Sequence, residues 1–326
     1  MKSKLYLGPM SKNIVDAAIE LSNESDMCVG FCASRRQIEF NGGYVNGWIT
    51  KSFTNYVRGK ANNSILVRDH GGPGQGQEND DGIESFKYDA LYFDIIHIDP
   101  WKKFKSIEEE VVKTSEYIDL CNSINPYCKF EVGTEQSICE LSSEELFSFL
   151  NGLKRRLGQT LFNKIIYVVI QSGTSLEEDT NTGKYDSVKL KRMIDVCKGF
   201  SVLSKEHNGD YLSSDLIKEK FSLGLDSINI APEFGVIETL CVLDRIDNED
   251  LLIKLHSMCI ESGKWKKWVN DDFDPNKNKR RLIKICGHYI FSEPRFKSLI
   301  KNKIFDGIDD EIKSKVKTRI KNILGD

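Results

Sequence analysis

The chain has 326 residues, 40% hydrophobic and 29% charged, with a net charge of -3. That length can bury a large core and fits one α/β barrel or two ordinary domains, while the near-neutral balance gives no reason to expect nucleic acid as a partner. The N-terminus carries too few apolar residues for a signal-peptide core or a membrane span, and nine scattered cysteines without paired CxxC motifs suit reduced thiols, so a cytoplasmic protein without a membrane is expected.

Short runs rich in Val, Ile, Leu, Phe and Tyr alternate with longer amphipathic segments, the pattern of repeated β-α units. Eight strands are expected: Lys4 to Gly8, Met27 to Ala33, Ser64 to Arg68, Tyr92 to Ile98, Cys128 to Val132, Ile165 to Ile170, Gly199 to Lys205, and Asp226 to Ile230. Cys28 and Cys32, four apart in the second strand, share a face, and core packing is expected of them. Helical patterns lie between the strands, as at Ile14 to Leu21 and Ile107 to Leu120, and Ser142-Ser143-Glu144-Glu145 reads as a capping box. Eight such units favour a closed (β/α)8 TIM barrel over residues 1–240. A C-terminal helical extension over 241–326, packed on the barrel, completes the expected α/β architecture.

In such a barrel, polar residues just beyond the strands build the site. The third strand delivers Asp69 and His70, followed by the glycine-rich loop Gly71 to Gly76; the fourth delivers His97 and Asp99. Glu131 and Glu135 come from the fifth, His207 follows the seventh, and Asn229 lies on the eighth. A carboxylate can move a proton and an imidazole can hold a metal, so Asp69 and His70 could act together on a carbonyl and its neighbouring C–H; a turn carboxylate beside a surface histidine is the plain alternative. His97 lies inside an apolar run and reads as a core histidine.

The glycine-rich loop lacks the GK[ST] ending of a phosphate cradle, and Pro73 removes a backbone donor, so it reads as a flexible loop. No GxSxG elbow is present, and Leu176-Glu177-Glu178-Asp179 reads as a mobile acidic loop. Lys277, Lys279, Arg280 and Arg281 form a basic cluster best read as a solvated face.

Taken in order, these segments resemble the class II D-tagatose-bisphosphate aldolase family, specifically its larger subunit, often described as non-catalytic. Residues 33–44 resemble that subunit's second-strand signature, and Arg68-Asp69-His70-Gly71-Gly72-Pro73 its Asp-His-x-Gly-Pro motif. His97-Ile98-Asp99, Gly133-Thr134-Glu135, Val169 to Gly173 and Glu206 to Tyr211 are similar to its later motifs. The resemblance runs from about Leu7 to about Leu240.

What it implies is a barrel related to zinc-dependent class II aldolases. Asp69 is then the general base and Glu135 an acid/base helper. His70 and His207 are metal ligands for Zn2+ or another divalent cation, with Asp99 and Glu131 at further metal positions. Ser34, Gly43, Gln171, Ser172, Gly173, Asn208 and Asn229 are the implied substrate contacts. Catalytic relatives carry a third metal-binding histidine where this chain has Gln171, and a lysine-containing phosphate loop that is missing after it. Two functions stay open on this resemblance: a metal-dependent aldolase-type lyase or transaldolase acting on a ketose phosphate or related modified sugar, or a chaperone-like subunit that stabilises a separate catalytic aldolase. A homo-oligomer is compatible with either.

Overall fold

The computed structural model describes residues 2–25 and 27–325. Eight parallel strands close into a barrel: β1 (Leu5–Leu7), β2 (Val29–Ser34), β3 (Ser64–Gly71), β4 (Ile95–Ile98), β5 (Lys129–Gly133), β6 (Ile165–Ile170), β9 (Leu203–Glu206) and β10 (Ser227–Ile230), with β10 pairing back onto β1. The two remaining strands, β7 (Leu176–Glu177) and β8 (Thr180–Asn181), form a small antiparallel hairpin in the loop after β6.

The α/β barrel expected from the sequence is thus the fold observed. Its boundaries differ where an apolar run is shared between elements. Tyr92 ends helix α3 (Ile83–Tyr92) instead of opening β4, and Gly199 ends α6 (Ser187–Gly199). The other ring helices include α1 (Lys12–Ser25), α2 (Thr50–Arg58), α4 (Ile107–Ile124), α5 (Ser143–Phe162), α7 (Ser214–Ser222) and α8 (Pro232–Asp244). At the start of α5, Ser142 Oγ accepts from Glu145 N and Glu145 Oε2 accepts from Ser142 N, a capping box that satisfies two otherwise orphaned donors.

Side chains fill the barrel's interior. Tyr6, Cys32, Ile65, Val67, Ile95 and Tyr167 form an inner cluster, separate from the larger core between strands and helices. Gly30 makes room for it, since a Cβ there would lie 2.1 Å from the Tyr6 ring.

Beyond α8 come α9 (Glu249–Ser262), α10 (Lys279–Cys286), α11 (Pro294–Leu299) and α12 (Ile308–Leu324). Their apolar residues, such as Leu255, Leu282, Ile312 and Ile320, join the same core as the barrel helices. The terminal helix packs along α1, with Lys313 and Lys317 paired to Glu20. Two segments read from the sequence as solvated and mobile meet here: Arg281 pairs with Glu178 and Lys284 with Asp179, tying α10 to the β7–β8 hairpin. Lys279 pairs with Glu249, while Arg280 donates to the carbonyls of Leu243 and Ile246. No helix among the described residues is long and apolar enough to cross a membrane.

Candidate functional site

Consecutive side chains on a strand normally point to opposite faces. Asp69 and His70 escape that rule because the β3–β4 register shifts between Arg68 and Gly71 and His70 adopts a φ of +45°. A non-glycine residue in that left-handed region is strained, and a bulge re-aims the side chains around it. Both groups therefore line one cavity of ≈ 310 Å³ at the C-terminal end of the barrel. Arg68 turns outward, where its buried guanidinium bonds Asp89 and the carbonyls of Ala33 and Ile38 and anchors the strand.

Three imidazoles converge on Asp69. Its Oδ1 lies 3.7 Å from His70 Nε2, 3.7 Å from His97 Nδ1 and 3.6 Å from His207 Nδ1. These separations are too long for hydrogen bonds. They lie close to the edge, about 3.4 Å, of a tetrahedron of ligands around a zinc-sized ion. Asp69 Oδ1 is buried without a hydrogen-bond partner among the described residues.

The outward ring nitrogens are all engaged. His70 Nδ1 is 2.6 Å from Asp99 Oδ2, His97 Nε2 is 3.0 Å from the Gly133 carbonyl, and His207 Nε2 is 2.8 Å from Glu131 Oε1. Each acceptor favours a ring proton on its own side and leaves the inward nitrogen a lone pair, which His70 and His207 present to the cluster while His97 Nδ1 accepts from the His70 backbone N–H at 3.2 Å. The donor set, its spacing and the orphaned carboxylate oxygen thus fit a bound divalent metal.

The electrostatics agree. Burial disfavours the His70 imidazolium, yet Asp69 and the hydrogen bond to Asp99 outweigh it and raise its pKa to about 10. Burial also opposes the charge on Asp69, but the surrounding imidazoles of His70, His207 and His97 hold its carboxyl far below the usual range. Glu131 is pulled down to about 2 against its own burial, by Lys205 and His207. Lys205, fully buried, donates to Glu131 Oε2 at 2.7 Å and sits 3.9 Å from the Tyr6 ring centroid. This anionic cluster favours positive charge in its midst, be it proton or metal.

The sequence-derived residues fall into three groups. Asp69, His70, Glu135, His207, Ser34, Asn208 and Asn229 line the cavity. Asp99 and Glu131, read from the sequence as further metal positions, each face the far side of an imidazole, through Asp99 Oδ2 and Glu131 Oε1, while Asp99 Oδ1 is buried without a partner among the described residues. Gln75 Nε2 approaches the Asp99 carbonyl at 3.2 Å and its Oδ2 at 3.3 Å, while Arg35 bonds the Gly72 carbonyl, so the glycine-rich loop is pinned and not free.

Gln171, Ser172, Gly173 and Gly43 lie outside the cavity lining. The amide of Gln171 is consumed by the loop after β5, donating to Thr134 and Cys139 and accepting from Leu141 N at 2.9 Å. Ser172 Oγ donates to Glu206, which also accepts from Thr174 Oγ1 at 3.0 Å and from the buried Lys220 at 2.7 Å. Gly173 and Gly43 sit against backbone: a Cβ would come within 2.0 Å of the Lys184 and Gln37 carbonyl oxygens, respectively.

His97, read from the sequence as a satisfied core histidine, is fully buried with both ring nitrogens hydrogen-bonded, Nε2 to the Gly133 carbonyl and Nδ1 from the His70 N–H, and its Nδ1 also borders the cluster. Its signal was the position itself, on an inward-facing register at the C-terminal end of a barrel strand. Asp210, whose carboxyl is pushed up to about 8 by burial and by Glu233, also lines the cavity, as do Arg36, Lys102 and Lys267.

No family model matches the chain, and no curated protein aligns with it. Solved structures similar over nearly all of it include a probable tagatose 6 phosphate kinase from Sinorhizobium meliloti 1021, with a TM-score of 0.77 at 15% identity, covering 98% of this chain and 93% of that one. A fructuronate-tagaturonate epimerase from Cohnella laeviribosi reaches 0.67 at 10% identity, covering 99% and 81%. The fructose-bisphosphate aldolase from Campylobacter jejuni reaches 0.60 at 13% identity, covering 99% and 90%. The chain therefore has the barrel fold found in aldolases and in this epimerase.

Proposed function

We propose that this chain is a divalent-metal-dependent, class II aldolase-type lyase that makes or breaks a C–C bond in a ketose phosphate or a related modified sugar. The observation that carries the reading is the convergence of the inward nitrogens of His70 and His207, with His97 Nδ1 beside them, on the unpartnered Asp69 Oδ1. His70 and His207 would hold the cation, with zinc the expected ion from imidazole ligands. His97 would join them only by giving up the hydrogen bond its Nδ1 accepts from the His70 N–H.

A cation so held supplies Lewis-acid polarisation of a substrate carbonyl. Asp69, kept ionised by the imidazoles around it, accepts the proton of the hydroxyl whose carbon is being cleaved from its neighbour. The C–C bonding pair passes to the carbonyl fragment, whose carbon then takes a proton, either the one Asp69 accepted or one that Glu135, 4.0 Å from His70 Nε2, has first taken up from water. Asp99 and Glu131 hold the imidazoles in register, and Lys205 holds Glu131. The buried network supports an enzyme over a subunit that keeps these residues as scaffold, because it leaves Asp69 unsatisfied on the cavity side. Two carboxylates flanking His70 also suit epimerisation at a carbon beside a carbonyl, the second reading.

The test is metal content of the purified chain, then product analysis on ketose mono- and bisphosphates with and without added zinc. About one equivalent of metal is expected, with aldol cleavage products, and a loss of about a hundred-fold or more in Asp69→Asn. Rearranged ketose without cleavage selects epimerisation. A folded chain that takes up no divalent ion and is indifferent to Asp69→Asn removes both.

A further inference from the structure

Three basic side chains line the same cavity as Asp69 and His70: Arg36 from the loop after β2, Lys102 from the loop after β4, and Lys267 from the turn after α9. Surface cations usually find carboxylates, as Arg281 and Lys284 do. These do not: among the described residues none of the three makes an ion pair. Lys102 Nζ donates to the Gly74 carbonyl at 2.8 Å, and Arg36 Nε to the Gly76 carbonyl at 3.3 Å. Lys267 Nζ rests over the Trp268 ring, 4.3 Å from its centroid, and 5.2 Å from that of Tyr289.

Like charges gathered around one opening repel unless an anion joins them. The Lys267 ammonium shows the tension. The side chain is exposed, and the walls about it, then Arg36 and Lys264, lower its pKa to about 7 against the pull of Glu135. Lys102 is lowered by the same enclosure and by Arg36.

The other place for an anion is closed. Beyond β6, where a phosphate loop would be sought, the hydroxyls of Ser172 and Thr174 already serve the carboxylate of Glu206, and Lys220 neutralises it. A second anion there would displace a buried carboxylate from its one cation among the described residues, or lie beside it.

We propose that Arg36, Lys102 and Lys267 form the anion subsite of this cavity and hold a phosphate or carboxylate group carried by the sugar substrate. The proposal rests on the sugar-directed reading of the metal cluster given above and assigns the C-terminal extension, through Lys267, a part in substrate recognition. Charge-assisted hydrogen bonds give such a group both affinity and orientation, leaving the sugar's carbonyl end for Asp69 and the histidines.

Calorimetric titration of the zinc-loaded protein with sorbitol, sorbitol 6-phosphate and gluconate tests it. One or both anions are expected to bind about ten-fold or more tightly than neutral sorbitol. That preference shrinks toward unity in Arg36→Gln/Lys267→Gln and weakens in Lys102→Gln, while Lys277→Gln leaves it intact. Which anion leads, phosphate or carboxylate, identifies the substrate's charged group. Equal binding of all three ligands, or a preference undiminished in the double variant, overturns the subsite. The preference is a ratio, so it persists in His70→Ala even as metal is lost. A wild-type chain that binds no divalent ion but keeps the preference defeats the metal reading alone, and one that binds metal without the preference defeats the subsite alone.

Discussion

The strand ends at β3–β4 and at β6–β9 open on the same face of the barrel, and each gathers acids, bases and hydroxyl or imidazole groups. They end in opposite states. Around Ser172, Glu206 and Lys220 every charge is matched inside the protein: Glu206 accepts from Ser172, Thr174 and Lys220, and Lys220 also lies 4.6 Å from the Tyr185 ring centroid. Around Asp69 the matching stops one layer short. Asp99, Glu131 and the Gly133 carbonyl satisfy the outward nitrogens of the imidazoles and the His70 N–H satisfies His97 Nδ1, while the inward nitrogens of His70 and His207 face Asp69 Oδ1 at 3.7 and 3.6 Å. A buried polar network closed on itself is structure, and one left open toward a cavity can take a ligand.

Glu206→Ala draws the sharpest contrast. Removing one partner of a buried pair strands Lys220, and a loss of about 3 to 5 kcal/mol in denaturant unfolding is expected. Stoichiometric metal uptake by the folded fraction is expected to stay unchanged. A variant that keeps its stability but loses metal would mean that the two regions are one site. His207→Ala reverses the pattern: metal affinity falls about a hundred- to thousand-fold as one imidazole is lost, by competition with a chromogenic chelator. If metal affinity in His207→Ala equals wild type while His70→Ala abolishes it, His207 is not a ligand.

A smaller change probes the supporting layer. Glu131→Gln keeps an oxygen for His207 Nε2 but removes the charge shared with Lys205, and a ten- to hundred-fold loss of metal affinity is expected. The effect should follow metal concentration. A defect that zinc at saturating levels leaves untouched would place Glu131 in the chemistry itself.

The barrel was legible because its strands are apolar runs of the right length between amphipathic stretches, and misplacements such as Tyr92 occurred where the run continues into a helix end. Asp69 and His70 were legible as a pair at a strand's end followed by glycines. His97 was legible as a buried, satisfied histidine but its direction was not, because Ile95-Ile96-His97-Ile98 is buried on both sides of the strand and periodicity cannot separate the barrel's interior from the helix layer. Asp99 and Glu131 read from the sequence as further metal positions, and a sequence carries no signal that separates a carboxylate aimed at a metal from one aimed at the back of a histidine. Gln171 stood where a ligand is expected and instead fastens the loop after β5. Lys267 is invisible in this respect, since it returns to the cavity from more than sixty residues beyond Glu206.

The pH dependence separates the open cluster from the closed one without mutation. His70 has its pKa raised from 6.5 to about 10 in the folded chain, so its contribution to stability is fully present below about pH 6.5 and is lost as pH rises toward 10. The metal-free protein should therefore lose stability across that window. A cation on His70 Nε2 must displace the proton that the nearby Asp69 stabilises there, so metal affinity rises with pH over the same range, by up to about ten-fold per pH unit from this one group. Melting temperatures of metal-free and zinc-loaded protein should diverge as pH climbs from 6.5 to 10. His70→Ala removes that divergence, whereas Glu206→Ala, which destabilises both forms, leaves it. Parallel curves in the wild type would show that His70 binds neither the shifted proton nor the metal, and the two strand ends would then be alike.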